Sequence, residues 1–220
     1  MTTGHVLGVT AEVRVEVREQ ALRDALLIRE AATGDVACGF GLRSLPEDIV
    51  ELLCRVDAPP RLAAHLRVVR DVAVQLIESF RDAFPTFRFD VAAVVYGAGT
   101  HDIGKALHPA ELEAPGNDHE VDGYRLLTES GIPARLARFA RSHGEWSARD
   151  ATVEDELVAL ADKVWKGRRE EDLEHKLASR ISAAEGEEPW RVFTRLDDLL
   201  TAISSNADQR LDFQSRFAAS

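Results

Sequence analysis

The chain has 220 residues, 45% of them hydrophobic, which is enough for one domain with a real core. With 38 acidic against 27 basic residues its formal charge is -11, which argues against a broad surface for nucleic-acid polymers or anionic membranes. A small anionic ligand stays open, because bound cations or a local cluster of basic side chains can reverse the field inside a cleft.

The opening MTTGHVLGVTAEVRVEV lacks a basic start followed by an apolar core, so no secretory signal is expected. Nor does any stretch reach the length of a membrane span. Cys38 and Cys54 lie outside any CxxC unit and are expected as free thiols in a cytoplasmic protein. Between Glu12 and Arg18, Val13, Val15 and Val17 alternate with Glu12, Arg14 and Glu16, which predicts a strand. Residues 1–43 are then an extension, an arm or small hairpin that packs on the core or on a partner, a second copy included. Residues 44–220 form the main domain.

Helical periodicity dominates from there. Ser44-Leu45-Pro46-Glu47 can form a capping box before an Ile49, Leu52, Leu53 face. After Pro59-Pro60, residues Leu62, Leu66, Val69, Ala73, Leu76 and Phe80 mark a long amphipathic helix that carries His65 and ends by Pro85. Another apolar helix falls within Asp90 to Thr100, with Gly97 and Gly99 weakening its last turn. Pro109 to Asp118 reads as a loop around the Pro115-Gly116 turn. Asn117 or Asp118 can cap the next helix, which Gly131 ends. Pro133 suits the first turn of a helix bearing Leu136, Ala140 and His143. Thr152-Val153-Glu154-Asp155 precedes a helix with Leu157, Leu160, Ala161 and Val164, and two more run over 189–203 and 208–217. The expectation is an all-α domain with a short strand-containing N-terminal extension.

Six residues could carry chemistry together: His65, His101, Asp102, His119, His143 and Asp162. Four imidazoles and two carboxylates suit borderline divalent ions such as Mn, Fe, Co, Ni or Zn. The adjacent His101-Asp102 pair, placed where a helix ends, can face two neighbouring ions with the carboxylate between them. Each residue alone has a plainer reading: a half-buried histidine, a first-turn surface residue, a helix-end donor, a solvated aspartate. Spacing by itself does not bring distant residues together.

The ordered series does more. His65, THDIGK, HEVDGYRLL from His119, RSHGEW around His143 and ALADKVWKG around Asp162 resemble the HD-domain superfamily over roughly residues 45–175. The resemblance implies an all-helical bundle with a metal site among its central helices. His65, His101, Asp102 and Asp162 match the four-residue core, and His119 and His143 match the extra histidines of two-ion members. Asp102 would bridge, and the ions would be Mn or Fe, with Co, Ni, Zn or Mg as alternatives. HDIGK is similar to the HD-GYP branch that cleaves cyclic dinucleotides, but Ser142-His143-Gly144-Glu145 replaces HHE and no GYP follows. LADKVWKGRR looks closer to nucleotide-hydrolysing members, including those cleaving dinucleoside tetraphosphates.

The implied activity is metal-dependent hydrolysis of a phosphoester or phosphoanhydride in a nucleotide or other small phosphorylated molecule. Asp102 and Lys105 are the catalytic candidates, Lys105 holding phosphate or stabilising charge; its plainer reading is a solvent-facing lysine. Arg168 and Arg169 are candidate phosphate contacts, or simply a surface pair answered by Glu170, Glu171 and Asp172. Asp118 and Glu145 could tune the site or merely cap and face water. Two other classes share the ligand series: diiron oxygenases of the superfamily, and a nonhydrolytic metal- or nucleotide-binding regulatory module.

Overall fold

A computed structural model describes residues 11–26 and 41–219. Among them all regular structure is helical: α1 (Ala11–Leu26), α2 (Glu47–Arg55), α3 (Pro60–Ala83), α4 (Val91–Thr100), α5 (Asp118–Glu129), α6 (Ala134–Ala137), α7 (Phe139–Ser142), α8 (Val153–Val164), α9 (Glu171–Glu185), α10 (Pro189–Ser204) and α11 (Ala207–Ser215). Short 3-10 turns at Ile103–Ala106 and Pro109–Leu112 link α4 to α5. None of these helices is long and apolar enough to cross a membrane.

The strand expected at Glu12–Arg18 is instead the first half of α1. The alternating valines misled because Val15 and Val17 point to solvent. The residues that anchor the segment are Leu22, Ala25 and Leu26, spaced for one helical face and buried. Cys54 is an exposed free thiol, whereas Cys38 and the hairpin expected before Gly41 lie outside the described residues.

α3 is the axis of the bundle. Pro60 sits in its first turn, where a fixed φ and a missing N–H cost nothing. Its apolar face is wider than a single stripe, since Ala63, Ala64, Val68 and Val72 are buried along with Leu62, Leu66 and Leu76. Helices α1, α4, α8, α10 and α11 all pack on it. Wholly buried Arg67 finds partners in the carbonyls of Ala25 (3.2 Å), Leu42 (2.7 Å) and Arg43 (2.9 Å), tying the end of α1 to the central helix.

The glycines of α4 have a packing reason. A Cβ on Gly97 would lie 2.6 Å from the Phe139 ring, and one on Gly99 would lie 2.7 Å from Ile49 Cδ1. Their absent side chains let α7 and α2 close onto the helix that delivers His101, which offsets their low helix propensity.

Other local expectations differ in detail. Ser44 does not cap α2; Pro46 occupies the N-cap position, and the Ser44 carbonyl accepts from Arg70 (2.9 Å). The helix expected after Pro133 is interrupted at Arg138, whose guanidinium turns to Asp155 and Thr152. Thr152 and Asp155 close a reciprocal capping box that starts α8. Helix α9 was not legible. Its first turn is the charge run after Arg169, which hides the buried Leu173, Leu177 and Ile181 face behind it.

Candidate metal centre

Five helices and one turn deliver the six residues. His65 stands on the second turn of α3, and Asp162 on the last turn of α8. His101 and Asp102 cross from the end of α4 into the first 3-10 turn. His119 opens α5, and His143 caps the end of α7. The turn can lie against α5 because two glycines face each other. A Cβ on Gly104 would overlap the His119 carbonyl and sit 2.7 Å from Gly123 N. Backbone meets backbone there, which draws His119 up to Asp102.

Asp102 lies at the centre, and its two oxygens face different groups. Oδ2 is 3.2 Å from His65 Nε2 and 3.7 Å from His101 Nε2. Oδ1 is 3.3 Å from both His119 Nε2 and His143 Nε2. Asp162 Oδ1 lies 3.7 Å from the Nε2 atoms of both His65 and His101. Two overlapping clusters result, sharing one carboxylate: His65, His101 and Asp102 with Asp162 beside them, and Asp102, His119 and His143.

The ring nitrogens turned away from this centre show what it is built to hold. His101 Nδ1 donates to the Ala98 carbonyl (3.1 Å), His143 Nδ1 to the Phe139 carbonyl (3.2 Å), and His119 Nδ1 to the Glu111 carboxylate. With those protons placed outward, three Nε2 lone pairs point at carboxylate oxygens. His119 Nε2 is buried and makes no hydrogen bond despite its 3.3 Å approach to Asp102. Acceptors aimed at acceptors in a buried site repel one another unless cations lie between them, so the residues fit a pair of divalent ions. Only His65 lacks a fixed tautomer, its Nδ1 being buried without a partner.

Titration follows the same logic. Burial opposes ionisation of Asp102 and Asp162, yet the surrounding imidazoles, and Lys166 for Asp162, hold both well below the usual carboxylate range. Burial lowers His65 and brings His143 down to about 4, keeping both in the neutral, metal-binding form. For His119 burial is outweighed by the Asp102 and Glu111 carboxylates, and its pKa rises.

Residues 62–165 match the family model of the HD domain. This segment forms an HD domain. No curated protein and no solved structure matches the chain. The HD-domain fold with its paired His/Asp clusters makes this a metal-dependent phosphohydrolase centre, enzymatic and built for a dinuclear site. All six residues singled out in the sequence come together in it.

Beyond the ligand set, the HD domain places the other candidates unevenly. Lys105 reaches the centre, its Nζ 2.6 Å from Asp102 Oδ2. Arg169 is engaged elsewhere, bound to Glu174 (2.6 Å) and Asp197 (2.7 Å) between α9 and α10, and exposed Arg168 is not among the cleft residues. Asp118 is exposed in the first turn of α5 and Glu145 lies after α7, neither lining the cleft. The cleft over the centre has a volume of about 360 Å³ and is walled by Arg61, Lys105, Glu120, Lys163, Trp165 and Lys166 among others. Arg61, Glu120, Lys163 and Lys166 carry no spacing signal, and only the fold gathers them.

Glu111 is the other residue that sequence reasoning missed. From the second 3-10 turn its carboxylate accepts from the backbone N–H groups of Asp118 (3.2 Å) and His119 (3.4 Å) and also holds His119 Nδ1. It thereby supplies the cap expected of Asn117 or Asp118; Asn117 holds the N-cap position, but its side chain makes no such bond. Glu111→Ala should weaken metal affinity about 10- to 100-fold, with the ion nearest His119 lost first. Metal titration of the variant beside the parent chain checks this; equal affinity for both ions would exclude the orienting role.

Proposed function

We propose that the HD domain hydrolyses a phosphoester or phosphoanhydride bond in a small phosphorylated metabolite, a nucleotide being the class expected. The observation that carries this reading is the split of Asp102, one carboxylate oxygen toward each cluster, beneath a cleft rimmed by basic side chains. His65, His101, Asp102 and Asp162 would hold one divalent cation, and Asp102, His119 and His143 the other, with Mn or Fe the expected pair. Such cations supply Lewis acidity, acidifying water and neutralising charge on phosphate oxygens.

The chain's own groups do the rest. Lys105, held beside Asp102, is placed to bind a phosphoryl oxygen and to stabilise charge as the bond breaks. Glu120 lines the same cleft; burial and the neighbouring Glu145, Asp102 and Glu111 carboxylates raise its pKa against the opposing effect of His119. From its place in the cleft it is assigned the proton taken up by the departing oxygen. Against a formal charge of -11 for the whole chain, a basic rim at this one cleft favours a small anion over a polymer.

The deciding experiment loads the purified chain with Mn or Fe and follows phosphate release from a panel of phosphorylated metabolites, with oxygen uptake measured in parallel. Phosphate release from at least one metabolite is expected. Oxygen consumption with no phosphate released would overturn the assignment in favour of an oxygenase.

Metal retention should also fall in two steps with pH. Protons compete for ligand nitrogens, and His119, with its raised pKa, is protonated at higher pH than His65 and His143, whose pKa values are lowered. The ion held by His119 should be lost first as pH falls and the other only at lower pH, where His65 takes up its proton, read as metal per chain after dialysis. Simultaneous loss of both would contradict the division of ligands.

A further inference from the structure

We infer that Arg61, Lys163 and Lys166 form a second anion subsite, so that the substrate carries another phosphoryl group besides the one bound at the two-cation centre. This inference rests on the phosphohydrolase reading and narrows it from phosphorylated metabolites in general to bisphosphates and diphosphates.

The four basic side chains of the cleft are not equivalent. Lys105 belongs to the centre, at 2.6 Å from Asp102 Oδ2. Lys163 and Lys166 come instead from α8 and the turn after it, and both approach Asp162 Oδ2, at 3.2 and 3.9 Å. The other oxygen of that carboxylate faces His65 and His101. Two ammonium groups on one oxygen of a metal-competent aspartate supply more positive charge than that oxygen requires, and less negative charge remains for them once a cation shares the carboxylate.

Arg61 adds to the excess. It extends from the first turn of α3, and its nearest carboxylate, Glu113, is 4.0 Å away and largely exposed. A contact that long at the surface contributes little and leaves the guanidinium fork open to an oxyanion. Arg61 also lines a neighbouring cavity of about 380 Å³, walled by Pro109, Ala110, Glu113, Ala218 and Ala219. An anion held by Arg61 therefore lies between the reacting phosphate and space for the rest of the substrate. A single phosphoryl dianion is already answered by two cations and Lys105; three further cations fit a second one.

The test compares methylphosphonate with methylenebisphosphonate, neither of which can be hydrolysed at a P–O–P bond, by calorimetric titration of the metal-loaded full chain. The parent should bind the bisphosphonate at least about tenfold more tightly. In Arg61→Gln and Lys166→Gln that preference should shrink toward unity, while methylphosphonate affinity changes less than about threefold. Chelation of metal by the bisphosphonate is common to parent and variants and cancels in the comparison. Circular dichroism and metal content are read on the same samples.

A parent without preference, or variants that lose both ligands equally, would overturn the subsite while leaving hydrolysis of monophosphates standing. Variants that instead lose metal would show the lysines to be counter-charges for Asp162 only, again overturning it. Failure of the parent to bind either phosphonate would remove the phosphohydrolase reading together with the subsite.

Discussion

Asp102→Asn should remain folded, retain at most one metal ion per chain and release phosphate at least about 10³-fold more slowly, equivalent to roughly 4 kcal/mol of transition-state stabilisation. The amide preserves the shape of the side chain but removes the charge that both clusters share. One of its two polar atoms must also turn an NH₂ donor toward a group that now faces an acceptor. Whichever way it turns, one of the two sides, His65 with His101 or His119 with His143, meets the NH₂ and the other only an uncharged oxygen. Metal analysis, initial rates at saturating metal and circular dichroism check the three parts. Two retained ions with a parental rate would show that Asp102 does not bridge.

Gly104→Ala should be the most damaging change for the fold around the site, destabilising by about 3 kcal/mol or more. The new methyl would meet the His119 carbonyl and Gly123 N, both backbone atoms, so no rotamer change relieves the overlap. The turn must then separate from α5, carrying Asp102 away from His119. Gly123→Ala offers a graded comparison, because its Cβ would lie 3.0 Å from Gly104 N and 3.2 Å from Ala140 Cβ. Urea unfolding midpoints should rank parent, Gly123→Ala and Gly104→Ala in falling order, with metal content following the same order. A parental midpoint for Gly104→Ala would reject the close approach.

Much of this site could be read from the letters, and for a physical reason. Its six ligand candidates are chemically unusual side chains for buried helical positions, and they occur in a fixed order that matches a known series. The helices carrying them also have clear apolar periodicity, as with Leu62, Leu66 and Leu76 around His65. What escaped was set by tertiary contact. Glu111 sits in a stretch that reads as plain loop, and nothing local marks it as the partner of His119. Arg168 and Arg169 are candidates by type, since arginines suit phosphate, but Arg169 has carboxylates of its own on α9 and α10, as the surface-pair reading allows. Lys163 and Lys166, a few residues earlier, line the cleft instead. A helix turn decides which of several neighbouring cations faces inward, and a run of charge conceals that phase. The same concealment hid α9, and at the other end of the chain valine alternation imitated a strand where α1 forms.

Because one carboxylate, that of Glu111, both closes the start of α5 and orients His119, the loading of the centre and the order of that helical turn are thermodynamically linked. Ion binding should slow hydrogen–deuterium exchange at the amides of Asp118 and His119, and anything that frays this turn should loosen the grip on metal. The protein thus carries a reporter of its own occupancy in two backbone protons, readable without any substrate.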